Sequence, residues 1–140
     1  MIYVNLWLLL MHSIRITADQ REQMIEITSD VEAFVQASGE PEGFVTLFVQ
    51  HTTCALTISE NADPDVKGDI VSFLHKKVPQ FGENFRHFEP NSDAHIKSVL
   101  LGQSVAVPFS DGELLLGRWQ GIFLCEFDGP RERTILMHIK

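Results

Sequence analysis

The order of apolar and polar residues along the chain predicts mainly β-strands. Apolar and polar positions alternate with a period of two over residues 14–17 and 23–28, which is typical of strands with one solvent-exposed face. Residues 44–49 are nearly all apolar and rich in β-forming side chains, so they predict a central strand that is buried on both faces. Another short strand is predicted at residues 55–58, and later strands are predicted to begin at Ser104, Glu113, Gly121 and Glu132.

Three helices are predicted from residues that commonly begin and end helices. Asp63 followed by Pro64 is a favourable start, and the spacing of Ser29 and Glu32 fits a capping box. A glycine that can end a helix follows two of these segments, so the helices are expected to cover about residues 29–38, 64–77 and 93–101. The second helix is expected to bury Val66, Ile70, Phe73 and Leu74.

These elements predict one α+β domain over residues 11–140, with two or three helices packed on a mainly antiparallel β-sheet or sandwich. Strands and helices do not follow each other in the βαβα order of a doubly wound parallel sheet. The first ten residues are apolar without a clear period, and one interpretation is that Met11 is the true first residue. The alternative is that Leu6, Leu8 and Leu10 form an edge strand or a contact between subunits.

The composition excludes several broad classes of protein. The 140 residues include 11 Lys and Arg against 19 Asp and Glu, for a formal net charge of −8, and 44% are hydrophobic. Such an acidic chain with scattered basic residues is not expected to bind nucleic acid, and its longest apolar run is too short to cross a membrane. Cys54 and Cys125 fit neither a metal motif nor a disulfide framework, which favours a cytoplasmic location.

Three histidines stand at the edges of predicted elements. His51 follows the apolar strand, His87 lies in a long loop, and His95 lies in the first turn of the third helix. Neutral imidazoles that converge from separate elements can hold a catalytic zinc ion with an open position. Their spacing matches no local metal motif, so three independent surface or hydrogen-bonded histidines are the alternative interpretation.

Acidic and amide side chains near these histidines could act as metal ligands, as a general base or as helix caps. Glu60 and Asn61 precede the second helix, where helix capping does not require both of them. Asp93 could cap the third helix, orient His95 or bind a metal. Glu126 stands beside a predicted turn, where it could pair with an arginine.

The C-terminal part of the chain contains groups suited to a flat, anionic ligand. Trp119 and Gln120 stand between two glycines, which would let a flat ligand approach both the backbone and the ring. A buried Trp beside a β-bulge is the alternative. Arg131 and Arg133 follow a turn and could hold a phosphate or pyrophosphate, or could instead pair with neighbouring carboxylates on the surface.

Several short motifs occur along the chain in a fixed order. They are HTTCALT at residues 51–57, ENADPD at 60–65, RH at 86–87, DAHIK at 93–97, LGQS at 101–104, LGRWQGI at 116–122 and EFDGPR at 126–131. In this order, over residues 14–139, they resemble the YjbQ-like family, whose members are described as secondary thiamine-phosphate synthase enzymes. The family usually has Ser at the position of Cys54, and its chains usually begin near Met11.

The resemblance implies an α+β subunit that assembles as a homotrimer, with a polar site around its histidines. A divalent metal, zinc or magnesium, is the expected cofactor, and a small phosphorylated molecule is the expected substrate. The site residues that the resemblance carries over are His51, His87 and His95 as metal ligands, Glu60, Asn61, Asp93 and Glu126 as catalytic residues, and Trp119, Gln120 and Arg131 as substrate-binding residues.

The activity that the resemblance implies is a transferase reaction, which joins a pyrimidine pyrophosphate to a thiazole phosphate and releases pyrophosphate. This reaction requires positive charge to neutralise pyrophosphate and an aromatic surface for the pyrimidine, roles that Arg131 and Trp119 could fill. The first alternative is a zinc-dependent hydrolase of a phosphorylated or nucleotide-like molecule, with Glu60 or Glu126 as general base. The second alternative is a trimeric protein that binds an anion without catalysis.

Overall fold

The computed structural model describes residues 11–82 and 84–140, and the two interpretations of residues 1–10 concern a segment outside this range. The described residues form eight strands and three helices, in agreement with the predicted α+β class. In chain order they are β1 Met11–Ala18, β2 Gln23–Glu26, α1 Thr28–Ser38, β3 Glu42–Val49, β4 Cys54–Glu60, α2 Pro64–Lys77, α3 Ser92–Leu101, β5 Ser104–Ser110, β6 Glu113–Leu114, β7 Gln120–Glu126 and β8 Arg131–Ile139.

The strands form two antiparallel sheets. The larger sheet has the order β1-β8-β3-β5-β6, and the smaller sheet has the order β2-β7-β4. The main core lies between the two sheets and includes the buried face of α1, with Val31 and Val35 fully covered. A second apolar cluster lies on the other side of the smaller sheet, where Phe123 and Cys125 pack against residues of α2 and α3. The sandwich therefore has helices on one outer side.

The prediction that β3 is buried on both faces is wrong. Its side chains alternate strictly, so that Val45, Leu47 and Val49 are buried, whereas Phe44 and Phe48 are 53% and 46% exposed. The smaller sheet covers only one face of the larger sheet. A run of apolar residues does not reveal this, because the same letters fit one covered face or two.

Helix α2 is less buried than predicted. None of its residues is fully buried, and Phe73 is 59% exposed. Ile70 and Leu74 do pack on the second apolar cluster, as expected from their spacing. The predicted start of the helix is confirmed, since the Asp63 carboxylate accepts a hydrogen bond from the N–H of Asp65 at 2.9 Å and Pro64 is the first helical residue.

The predicted capping box at the start of α1 is absent. The helix begins at Thr28 with no side-chain cap, and the Thr28 hydroxyl accepts a hydrogen bond from the N–H of Ile122 in β7 at 3.0 Å. Helix α3 also begins without a side-chain cap, and the residue before its first turn is Asn91, so Asp93 does not cap it. Among the described residues, no helix has the length and apolar character needed to span a membrane.

Candidate functional site

A polar pocket of about 470 Å³ lies at one edge of the sandwich. The segment after β3, the turn between β7 and β8, the loop before α3 and the first turn of α3 meet there. The pocket therefore gathers residues from distant parts of the sequence, between Gln50 and Arg133. Its walls are formed by residues 50–53, together with His87, Glu89, Asn91, His95, Asp128, Arg131 and Arg133.

His51 is held in one tautomer by the backbone. Its Nε2 atom accepts a hydrogen bond from the N–H of Thr134 at 3.0 Å. A backbone N–H can only donate, so Nε2 carries no proton and the neutral ring carries its proton on Nδ1. Burial and the nearby charge of Arg133 lower the pKa of His51, which favours this neutral form. His51 is therefore a neutral hydrogen-bond donor through Nδ1.

His87 and His95 lie side by side across the pocket. Their ring centroids are 5.6 Å apart and the rings are nearly perpendicular, with an interplanar angle of 76°. His87 is exposed on the loop and also meets the Phe88 ring edge-on at 5.2 Å, whereas His95 is half-buried in α3. The structure thus brings together all three histidines that the sequence singles out.

The donor set around the pocket does not fit the expected three-histidine zinc site. A zinc ligand must present an unprotonated nitrogen, and the unprotonated nitrogen of His51 is occupied by the Thr134 N–H. Binding through Nδ1 would require loss of the only ring proton. Within residues 11–82 and 84–140, no group of three or more His, Cys, Asp and Glu side chains has the closeness that a metal ion needs.

Glu126 and Arg133 form a buried ion pair beneath the pocket. The Arg133 guanidinium donates from Nε to Oε1 of Glu126 at 2.7 Å and from Nη2 to Oε2 at 2.5 Å. It also donates to the hydroxyl of Thr53 at 2.7 Å, and Glu126 further accepts the N–H groups of Phe127 and Asp128, each at 3.0 Å. Burial alone would lower the pKa of Arg133, but its bonds with Glu126 raise it. A carboxylate engaged in this way is not free to act as a general base.

Asp93 has a similar structural position on the other side of the pocket. It is completely buried and accepts two hydrogen bonds from Arg21, at 2.9 and 3.0 Å, and one from Lys97 at 2.8 Å. Burial opposes ionisation of Asp93, but the bonds from Arg21 and Lys97 outweigh it and lower the pKa of the carboxyl group. The buried ammonium of Lys97 also pairs with Glu22. Asp93 therefore anchors α3 and does not line the pocket.

Arg131 stands at the rim of the pocket with a half-exposed side chain. Its Nε donates to the backbone oxygen of Asp128 at 2.8 Å, and its Nη2 donates to the Asp128 carboxylate at 3.2 Å. These bonds occupy one side of the guanidinium, so a ligand in the pocket can still meet the rest of it.

Comparison with known proteins confirms the resemblance seen in the motifs. A profile described as UPF0047 protein YjbQ-like matches residues 12–140. The chain belongs to this family.

Relatives in the YjbQ-like family match the chain over most of its length. A UPF0047 protein of Methanocaldococcus jannaschii is 46% identical over 89% of this chain and 90% of its own. YugU of Bacillus subtilis is 46% identical over 89% of this chain and 95% of its own. A crystal structure of an uncharacterized YjbQ/UPF0047 protein of Clostridium acetobutylicum has 43% identity and a TM-score of 0.89, and covers 92% of this chain and 99% of that one.

Four of the residues that the YjbQ-like resemblance carries over lie away from the pocket. Glu60 and Gln120 pair with each other at the end of the β4–β7 ladder opposite to Cys54 and Glu126. At about 3.3 Å per residue, six residues of strand separate the two ends by roughly 20 Å. The remaining members of this distant group are Asn61 and Trp119.

The distant group has structural contacts of its own. The Glu60 carboxylate accepts the N–H of Asp63 at 3.1 Å, and the Asn61 amide donates to Glu26 at 2.9 Å. The Gln120 side chain accepts the N–H of Gly117 at 2.8 Å, which closes a small turn. Trp119 is 55% exposed, and the Arg118 guanidinium stacks on its ring at 4.7 Å. Within one subunit these residues do not join the histidines.

Sequence reasoning missed several residues of the pocket. Thr53, Glu89 and Asn91 line it, although none was assigned a role. A signal was present for Asn91, which precedes the predicted third helix and is a residue type that commonly caps helices. The buried thiol of Cys54 lies nearby, and burial raises its pKa to about 11, which argues against a Cys54 thiolate nucleophile.

Proposed function

We propose that this YjbQ-like protein is an enzyme that binds the phosphate or pyrophosphate group of a small molecule in the polar pocket. The observation that carries the proposal is the convergence of His51, His87, His95 and Arg131 from separate segments on one pocket. Each of them can donate hydrogen bonds to an oxyanion, and Arg131 brings a permanent positive charge.

The reaction that we propose is the transfer expected from the sequence resemblance. The bond between the methylene carbon of the pyrimidine and the pyrophosphate oxygen breaks, and pyrophosphate leaves with the electron pair. The thiazole nitrogen uses its lone pair to form the new carbon–nitrogen bond of thiamine phosphate. That nitrogen has no proton to lose, so the step needs no general base. Engagement of Asp93 and Glu126 in ion pairs is compatible with this chemistry.

In this mechanism the residues of the pocket act on the leaving group. Arg131 and the His51 Nδ1–H would stabilise the negative charge that develops on pyrophosphate. Mg²⁺, the cofactor that we propose, commonly binds through one or two carboxylates together with substrate phosphates, and would neutralise pyrophosphate. Glu89 and Asp128 line the pocket and are the residues that would hold it.

The alternative of a zinc-dependent hydrolase has less support. It requires a general base beside the metal, yet Glu126 is engaged by Arg133 and Glu60 lies at the distant end of β4. Its zinc site requires His51 as a ligand, and the hydrogen bond from Thr134 opposes that role.

A homotrimer is part of the proposal. The larger sheet exposes Phe44 and Phe48 on its central strand, where burial against another subunit would remove apolar surface from water. Light scattering coupled to size-exclusion chromatography would give three times the chain mass if this assembly forms. We also propose a cytoplasmic location, because Cys54 and Cys125 are both free and buried.

The decisive experiment is a synthesis assay with the purified protein. Both thiamine precursors and Mg²⁺ are supplied, and thiamine phosphate is measured by mass spectrometry against a blank without protein. We expect product from the wild type and at least a tenfold lower rate from Arg131→Met. Arg118→Met is the matched control, because Arg118 is an arginine at the distant end of the smaller sheet, and its rate should not change.

Two results would contradict the proposal. Absence of product from the wild type would remove the synthase reaction. Phosphate binding without turnover, measured by calorimetry on the same protein, would favour the anion-binding alternative.

A further inference from the structure

Asn91 breaks a local rule of helix structure. It is the residue before α3, where an asparagine side chain commonly accepts a hydrogen bond from the first turn, yet no side-chain cap forms. Instead its amide nitrogen donates to the Asp128 carboxylate at 2.9 Å and to the Glu89 carboxylate at 3.4 Å. The Asn91 side chain therefore does not cap α3 and instead bonds to carboxylates of the pocket wall, which points to a role other than helix capping.

The orientation of the Asn91 amide is fixed by its neighbours. Two carboxylates face one end of the amide, and carboxylates accept hydrogen bonds, so that end must be the NH₂ group. Asp128 is itself held by Arg131 at 3.2 Å, which keeps the acceptor in position. The other end of the amide must therefore be the oxygen. In the reversed orientation this oxygen, an acceptor, would face two carboxylates that are also acceptors.

The amide oxygen of Asn91 is an unused acceptor in the pocket wall. Asn91 is only 8% exposed, and its Oδ1 atom is buried with no hydrogen-bond partner among the described residues. A buried acceptor without a partner is costly, so one is expected to gain a donor when a ligand or water arrives. The side chains that we assign to the anion itself, those of His51, His87, His95 and Arg131, are donors, and the Glu89 and Asp128 carboxylates already accept from the Asn91 amide.

We infer that Asn91 selects an oxyanion that carries a proton, so that the pocket takes phosphate in preference to sulfate. The P–O–H group of hydrogenphosphate donates to the Asn91 oxygen, while its other oxygens accept from His51 and Arg131. Sulfate has the same shape and charge but no proton at neutral pH, so it leaves the Asn91 oxygen unpaired beside an anion. This inference rests on the proposed function, since it assumes that the pocket takes phosphate.

The test compares inorganic phosphate with inorganic sulfate by calorimetric titration of the intact chain. At about pH 8, above the second pKa of phosphate, both ions carry two negative charges and differ mainly in the proton. We expect the wild type to bind phosphate roughly tenfold or more tightly than sulfate, the ratio that a hydrogen bond involving a charged group supports. In Asn91→Leu the ratio should fall close to one, because sulfate never used the lost acceptor.

Two further variants separate selection from general damage. Asn91→Asp keeps an acceptor oxygen at this position, so it should retain the preference for phosphate. Its added negative charge should weaken the binding of phosphate and of sulfate alike. Gln80→Met is the matched control for the loop, since the Gln80 amide donates to the backbone oxygen of Pro90 at 2.9 Å but does not line the pocket. Its phosphate-to-sulfate ratio should equal that of the wild type.

The outcomes distinguish this inference from the proposed function. If neither ion binds to the wild type, the phosphate pocket itself is refuted. If both bind equally, or if Asn91→Leu keeps the full preference, the pocket remains and the role of Asn91 is overturned. An equal loss of preference in Gln80→Met would assign the effect to the loop rather than to the Asn91 oxygen.

Discussion

Glu126 offers a direct test of whether a carboxylate beneath the pocket supports the structure or performs catalysis. The sequence places it among the catalytic residues, whereas the structure engages both of its oxygens with Arg133 and with two backbone N–H groups. The substitution Glu126→Gln keeps the shape of the side chain and removes its charge. One oxygen becomes an NH₂ group, which then faces a donor of Arg133 or the two backbone donors.

The expected loss of stability follows from these contacts. Arg133 is only 2% exposed, so removal of its partner leaves a buried guanidinium without a compensating charge. Removing one member of a buried ion pair commonly costs about 3–5 kcal/mol. For a domain of this size, that corresponds to a decrease in the melting temperature of roughly 10–20 °C.

The assay is urea unfolding, followed by fluorescence, with a matched control. Glu132→Gln removes the same charge from an exposed pair, since Glu132 is 56% exposed and lies 3.9 Å from Arg15. An exposed pair of this kind contributes less than about 1 kcal/mol. In the double variant Glu126→Leu with Arg133→Met, neither charge remains, and most of the lost stability should return.

A catalytic Glu126 would give the opposite pattern. Stability close to that of Glu132→Gln, combined with a large fall in the synthesis rate, would refute the structural role and restore Glu126 as a general base. Failure of the double variant to recover would show that packing or the backbone bonds of Glu126, rather than charge, dominate the loss.

Two further predictions concern His51. Its pKa is lowered in the folded chain, so the unfolded chain takes up more protons below about pH 6.5. The unfolding free energy should therefore fall as the pH decreases. For this one group, the fall is at most about 1.4 kcal/mol per pH unit. Urea unfolding at several pH values should show a smaller fall in His51→Gln, and an equal fall would show that other groups cause it. The second prediction concerns zinc. After zinc is added to the purified protein and the excess is removed by gel filtration, elemental analysis should find well under one zinc ion per chain. Stoichiometric zinc that His51→Ala loses would overturn the tautomer fixed by Thr134.

The period of two in the sequence is sufficient to predict the strands and their class, but burial depends on what covers each face. Val45 and Leu47 belong to the apolar segment that the sequence predicts as a buried strand, and both are buried. Phe44 and Phe48 have the same apolar character, yet the smaller sheet does not reach their face. No local pattern carries this information, because it depends on how the two sheets pack.

Local signals predict a helix cap correctly only where no distant group competes for the capping side chain. Asp63 meets the N–H of Asp65 as expected from the sequence. Thr28 instead accepts from Ile122, which is 94 positions away, and Asn91 donates to Asp128, which is 37 positions away. At Asn91 a contact from another part of the fold replaces the local one, whereas the capping box predicted from Ser29 and Glu32 is absent because α1 begins one residue earlier, at Thr28.

Part of the candidate site could likewise be predicted from local sequence, whereas the rest depends on how distant strands pair. His51, His87, His95 and Arg131 stand at the ends of elements beside turn-forming residues, and these edges meet in the pocket. Glu60 and Trp119 stand in equally suggestive motifs, but β4 and β7 run antiparallel and place them at the opposite end of the smaller sheet. Only the strand register separates the two groups.

The buried charges explain why the pocket can be open and still have a defined shape. On one side, the pair of Arg133 with Glu126 fixes Thr53 and the turn that carries Arg131. On the other side, Arg21 and Lys97 hold Asp93, two residues before His95 in α3. Burying ions is costly compared with an apolar core, and the ion pairs buried here lie next to the residues that face the pocket. We therefore interpret Asp93 and Glu126, which resemble catalytic residues in the sequence, as the groups that position the proposed donors.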